Sequence, residues 1–147
     1  ISLWSCTANE NKGKNEITLV TPVTFKLDSA EKVKRITKQQ IYTFGKMFST
    51  QNLNVPLLRY VEGSNYEIFI GIPIGDDSAG RSSFLESGIE NGDTVFYSQE
   101  VKGEVLTGTI YKRLNGNLFS VSVKRSAAKD SVFKWERWSN RLSISNE

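Results

Sequence analysis

The chemistry open to this chain is bounded first by what it lacks. Its 147 residues include no His and a single Cys, Cys6. Without imidazole there is no Ser–His or Cys–His nucleophile, no histidine proton shuttle and no common zinc site. A lone Cys forms no internal disulfide. Catalysis would fall to carboxylates, Lys, Tyr or Arg. Glu86, Glu90 and Asp93 lie close together, but nothing in their spacing sets two carboxylates across a cleft, and they read as a solvated turn. Gly75-Asp76-Asp77-Ser78-Ala79-Gly80-Arg81-Ser82 has the spacing of a phosphate-binding loop. Arg81 stands where that loop needs Lys, and two acids occupy the cradle, so the segment reads as a polar loop. Asp76 and Asp77 lack the spaced oxygen ligands of a calcium loop. The expectation is a protein that is not an enzyme, with no cofactor and no metal.

Leu3-Trp4-Ser5-Cys6 places Leu three residues before Cys and a small residue just before it. This resembles the lipobox of bacterial lipoproteins. In that family the signal peptide is cut immediately before the Cys, and the thiol carries a diacylglycerol. The resemblance implies lipidation at Cys6, residues 1–5 as a truncated signal-peptide remnant, and residues 6–16 as a flexible tether. It implies a lipid-anchored protein of the bacterial cell envelope, facing the periplasm or displayed at the cell surface, with the membrane held through the N-terminal lipid. Each buried acyl CH₂ contributes about 0.8 kcal/mol, so two or more chains hold a small domain firmly. No apolar run approaches the roughly 20 residues of a spanning helix.

Nineteen Lys and Arg against sixteen Asp and Glu give a net charge of +3, unevenly spread. Residues 1–59 carry nine basic and four acidic side chains, 60–104 carry two and nine, and 105–147 carry eight and three. An acidic middle forming one surface would give the domain two electrostatic faces, one suited to anionic headgroups or an acidic partner. Solvated faces kept for solubility are the plainer account. No nucleic-acid partner is expected.

The elements that must position these groups form a single α+β domain over 17–147. Residues 17–20 and 23–27 are β-rich, with Pro22 as a break. Residues 28–32 are polar. Thr37 and Gln40 form a capping-box pattern before Ile41, Phe44 and Phe48, which predicts a helix at 38–51; Val33 and Ile36 would allow a start at Ser29. Gly63-Ser64-Asn65 between 57–62 and 66–74 predicts a hairpin. Tyr66, Ile68, Ile70, Ile72 and Ile74 share one face of the second strand, and Glu67, Phe69, Gly71 and Pro73 the other, so cover mainly on one side is expected. Residues 83–89 allow a helical turn, and 94–101 read as a strand. Asn115-Gly116 between 107–114 and 117–125 is a strong two-residue hairpin signal. Asp130 is placed to cap a last helix whose stripe is Val132, Trp135, Trp138 and Leu142. Trp135 and Trp138 have the aromatic surface to stack on envelope sugars, but on such a stripe they read as core.

Two family resemblances follow. An early strand, a helix, a meander ending in Tyr111-Lys112-Arg113-Leu114-Asn115-Gly116-Asn117-Leu118-Phe119-Ser120-Val121, a helix, and Arg141-Leu142-Ser143-Ile144 resemble the PsbP/Mog1-like sandwich. That resemblance implies a mostly antiparallel sheet flanked by two helices and a non-catalytic binding or assembly module, acting on a protein partner. An immunity-like role would set the acidic 62–104 region against a basic toxin. The second is the GyrI-like effector-binding domain, a duplicated βαββ unit. Residues 66–74 are similar to its first-half strand, 108–114 to the start of its second helix, and 135–138 to its last strand. It implies a small-molecule pocket lined by Tyr66, Tyr111, Trp135 and Trp138 around Glu136, at the cost of Gly108 and Gly116 in or ending a helix.

Overall fold

The computed structural model describes residues 15–47, 55–73 and 86–145. Cys6, the 1–5 remnant, the tether up to residue 14, Phe48, Ile74 and the 75–83 loop lie outside these residues. Among the described residues the chain is an α+β protein dominated by antiparallel sheet, with two short helices.

The elements are β1 (Glu16–Thr18), β2 (Val23–Lys26), β3 (Lys32–Lys34), α1 (Lys38–Met47), β4 (Leu57–Glu62), β5 (Tyr66–Gly71), β6 (Glu86–Glu90), β7 (Asp93–Lys102), β8 (Val105–Leu114), β9 (Asn117–Ser126), α2 (Trp135–Ser139) and β10 (Leu142–Ile144). Seven strands form one sheet in the order β3-β4-β5-β9-β8-β7-β6, and three form a second in the order β10-β2-β1. Every pairing among the described residues is antiparallel.

Local turn chemistry sets much of the register. Asn115 and Gly116 have φ of 52° and 84°, both positive as a type I′ turn requires, and Leu114 pairs directly with Asn117. The segment 104–125 is therefore hairpin and not helix. Asn91 and Gly92 repeat the device between β6 and β7, with φ of 53° and 88°. The β4–β5 turn closes as its sequence predicts, Gly63 N–H donating to the Tyr66 carbonyl at 2.9 Å.

The alternation of side chains sends each strand's two faces into different cores. One face carries Ile68, Ile70, Ile110, Val121 and Val123 against Val23, Phe25 and Leu142 of the small sheet, with Phe133 and Trp138 completing the main core. The other face carries Tyr60, Phe69 and Tyr111, which pack with Phe44 of α1. The Phe44 and Phe69 rings stack with centroids 5.9 Å apart. Thr37 and Gln40 start α1 as their pattern predicts: the Gln40 carboxamide oxygen accepts the Thr37 N–H at 3.0 Å and also the Thr37 hydroxyl.

Several expectations are corrected. The 66–74 strand ends at Gly71 and is covered on both sides, because Phe44 and Tyr60 bury Phe69 from the face opposite Ile68 and Ile70. Ile41 does not join the buried face of α1; it is 56% exposed. Residues 32–34 are not the start of a helix but a strand paired with β4. Residues 86–89 are a strand, held by the Asn91-Gly92 turn and packed by Trp135 over Gly88, where a side chain would overlap the indole. The last helix spans only five residues. Ahead of it residues 130–134 are neither helix nor strand: Arg125 donates to the Asp130 and Val132 carbonyls, while Gln99 accepts the Phe133 N–H and donates to the Ser131 carbonyl. Asp130 serves that segment and not the helix, its carboxylate accepting the Val132 N–H at 2.9 Å. Leu142 belongs to β10, and Val132 is exposed.

Among the described residues the acidic middle is divided between the two faces of the large sheet. Glu62, Glu67 and Glu100 lie in one cross-strand row with Lys124 and Thr107, on the face of Tyr60 and Phe69, while Glu90 lies on the other face beside Lys112.

Candidate functional site

Where β4 turns into β5 and β9 ends, residues 28–30, 64–66 and 130–138 leave a groove of about 670 Å³ with Arg125 in its wall. Tyr66, Phe133 and Trp138 line it with aromatic surface; Arg125, Lys134, Arg137, Asp28 and Asp130 supply its charge. The volume lies within the range of pockets that take small ligands or short peptide segments.

Each wall has a local cause. Tyr66 is the first residue of β5 and shares the face of Ile68 and Ile70, so strand periodicity turns it toward the main core. Its ring meets Trp138 edge-on, centroids 5.8 Å apart. Phe133 is seated on Gly108, where a Cβ would overlap its ring. The 130–133 segment is tied down by Arg125, whose Nη1 donates to the Ser126 and Asp130 carbonyls and whose Nη2 donates to the Val132 carbonyl at 2.9 Å.

A buried ion cluster joins the two sides. Arg141 Nη1 donates to Glu31 Oε1 at 2.8 Å and Oε2 at 3.0 Å, and Nη2 to Asp28 Oδ2 at 2.7 Å. The Glu31 side chain is fully buried and also accepts the Tyr66 hydroxyl and the Asp28 N–H. The Arg141 guanidinium lies 4.6 Å from the Trp138 ring centroid. Burial, then the hydrogen bond to the Glu31 carboxylate, pushes the Tyr66 phenol up to about 12, against the opposing pull of Arg141. A second cluster pins the end of α2: Lys112 Nζ lies 2.7 Å from Glu90 Oε1 and donates to the Ser139 and Leu142 carbonyls, while the Ser139 hydroxyl donates to Glu90 at 2.6 Å. On the opposite face of the sheet the Tyr60 hydroxyl donates to Glu67 and Glu62, and burial with those two contacts holds its phenol well above the ordinary value.

Of the five residues expected to bind a ligand, two meet here. Tyr66 and Trp138 line the groove. Trp135 is turned away and stacks on Tyr97, centroids 5.3 Å apart and planes 9° from parallel. Tyr111 faces the other side of the sheet, buried with Phe44, Tyr60 and Phe69. Glu136 is exposed on α2. With 108–114 a strand, 135–138 within a helix and Glu136 at the surface, the pocket of the GyrI-like reading does not assemble. Sequence reasoning passed over Arg125, Lys134 and Arg137. The signal available was Lys134-x-x-Arg137 interleaved with the two Trp, a basic flank on an aromatic segment.

The arrangement is suited to holding a ligand. The buried carboxylate of Glu31 and the partly buried one of Glu90 are committed to Arg141 and Lys112. Among the described residues no group of three or more His, Cys, Asp or Glu is placed to hold a metal ion, and no helix is long and apolar enough to cross a membrane. A second, smaller cleft of about 390 Å³ lies between α1 and the β7–β8 end of the sheet, beside Tyr42, Lys102 and Lys124. Comparison of the chain with protein-family models, with curated proteins and with solved structures found no match.

Proposed function

We propose that this chain is a lipid-anchored binding module of the bacterial cell envelope, non-catalytic, that recognises a protein partner through the groove lined by Tyr66 and Trp138. One observation carries the reading: the buried Arg141–Glu31 pair, which also holds Asp28 and Tyr66 and lies against Trp138, fastens the walls of an open groove, and the other cations of its lining border a space large enough for a ligand. A fold that commits its buried charge to fixing a concave surface is organised for recognition. The Leu3-Trp4-Ser5-Cys6 motif supports the anchor, and the absence of His supports a role without acid–base chemistry. The finer PsbP/Mog1-like reading draws on element order: three short strands, a helix, six antiparallel strands, then a helix and a closing strand.

Mass spectrometry of natively expressed protein tests the anchor. The expected result is an N-terminal Cys6 bearing a diacylglycerol, with the protein in the membrane fraction and Cys6→Ser releasing it. An unmodified thiol on a cytosolic protein would overturn the assignment. A photo-crosslinking residue at Ser64, in the groove, tests the site against one at Thr94, outside it. Capture of one envelope protein at Ser64 alone is expected, and equal capture at both positions would remove the groove from the account.

A further inference from the structure

The charged groups that line the groove are unequal in what they have left to offer. Arg125 is locked to three carbonyls. Asp28 is held by Arg141, and one oxygen of Asp130 is taken by the Val132 N–H. Lys134 and Arg137 differ from these. Lys134 has no ionic or hydrogen-bonding side-chain partner among the described residues, and the Arg137 guanidinium has only the Trp138 ring, 5.4 Å from its centroid. They stand one helical turn apart at the head of α2.

We propose that the groove binds an acidic peptide segment of the protein partner, with Lys134 and Arg137 as the contacts that read its carboxylates. This rests on the groove being the binding site. An Arg backed by an indole is preorganised, so less freedom is lost when its fork engages a carboxylate. Arg125 adds a third positive charge held in place by backbone carbonyls. The mixed signs of the wall select a peptide over a membrane surface. Asp28 and Asp130 repel a sheet of anionic headgroups, whereas a peptide brings backbone N–H donors for those carboxylates as well as acidic side chains for the cations.

The test uses the full chain in detergent solution and three short labelled peptides, alternating Gly with Glu, with Ser or with Lys, alongside phosphatidylglycerol vesicles. The Glu peptide is expected to bind, the Ser and Lys peptides to fail, and raising ionic strength from about 0.05 M to about 0.5 M to weaken binding. Lys134→Glu with Arg137→Glu is expected to reduce affinity for the Glu peptide by at least about tenfold, the scale of one charge-assisted contact, at an unchanged unfolding midpoint. Lys134→Glu alone, at an exposed position, provides a milder variant with a smaller loss in the same direction. Equal binding of the Ser peptide, or an unaffected double variant, would overturn the proposal. So would vesicle binding that depends on Lys134 and Arg137 while no peptide binds, which would give the site to lipid headgroups. If crosslinking at Ser64 still captures a partner but no acidic peptide binds, the ligand class falls and the groove stands. If Ser64 captures nothing beyond the Thr94 control, both fall.

Discussion

Arg141 and Glu31 are 110 residues apart in the chain and form a two-oxygen ion pair, with Nη1 2.8 Å from Oε1 and 3.0 Å from Oε2. The contact fastens the start of β10 to the turn that follows β2 and lends its carboxylate to Tyr66 on the large sheet. Removing the cation leaves Glu31 buried without its countercharge. Arg141→Met is expected to destabilise the chain by about 3 kcal/mol, because unpairing a buried ion costs far more than the pair contributes against apolar replacements. Adding Glu31→Gln to Arg141→Met should recover part of that loss. Urea unfolding of both variants measures it, and losses that simply add would argue against the coupling.

Gly108 and Phe133 form a second long-range pair. The ring covers a glycine on the central strand β8, filling the place a side chain would take. Gly108→Ala is expected to cost about 1–3 kcal/mol by overpacking. Phe133→Ala is expected to cost about 3–5 kcal/mol by removing a buried ring. The double variant should be more stable than the sum of the two, since the methyl added at position 108 then meets no ring. Chemical unfolding of the three variants gives the coupling, and strict additivity would show that the ring can move aside freely.

Stability should fall in alkali for a reason located at Tyr66. Its phenol rises from an ordinary value of 10.0 to about 12, so the folded chain keeps the proton at a pH where the unfolded chain has lost it. The resulting contribution is complete below the unfolded value and is lost as pH rises through the folded one. Tyr60 acts in the same direction. Tyr66→Phe should therefore show a shallower decline in unfolding free energy between pH 10 and about 12 than the parent chain. An unchanged slope would mean that Tyr66 exchanges its proton alike in both states.

Two glycines should respond in opposite senses to the same change. Gly116 holds φ at 84° in the β8–β9 turn, where a Cβ is strained, so Gly116→Ala is expected to destabilise by about 1 kcal/mol. Gly45 lies inside α1, exposed, with nothing within 4 Å of an added Cβ. Gly45→Ala should stabilise by about 0.5–1 kcal/mol through helix propensity and a stiffer unfolded chain. Thermal unfolding of the pair gives the signs directly, and a loss at Gly45 would show an unseen neighbour.

Much of the large sheet was legible because its devices are local. Asn115-Gly116 sets a two-residue turn, and the alternation of Phe119, Val121 and Val123 with Ser120 and Ser122 sets the phase. Together they imply that Ser120 faces Tyr111, which is observed. The same register places Tyr111 opposite the face of Val121, so its separation from Tyr66 was available to a reader who carried the phase across the turn. Asn91-Gly92 carried the same signal, and with it β6 could have been read as a strand. The capping pair Thr37 and Gln40 was likewise sufficient to start α1.

The site was less legible because its makers act at a distance. Asp130 followed by Val132, Trp135 and Trp138 has the spacing of a helix, and by local rules it is one. The guanidinium of Arg125 and the carboxamide of Gln99 hold 130–133 out of the helix and against the sheet, which no local pattern announces. Trp135 and Trp138, three apart, then go to different partners, one to Tyr97 and the other to Tyr66 and Arg141. Sequence alone determined the absence of imidazole chemistry, the hairpin turns and the period of the central strands, since each depends on residue type or on neighbours a few positions away. Tertiary structure alone decided which aromatic rings share a groove and which cations beside it have no ionic partner among the described residues, because those outcomes depend on ion pairs and ring contacts between segments up to 113 residues apart.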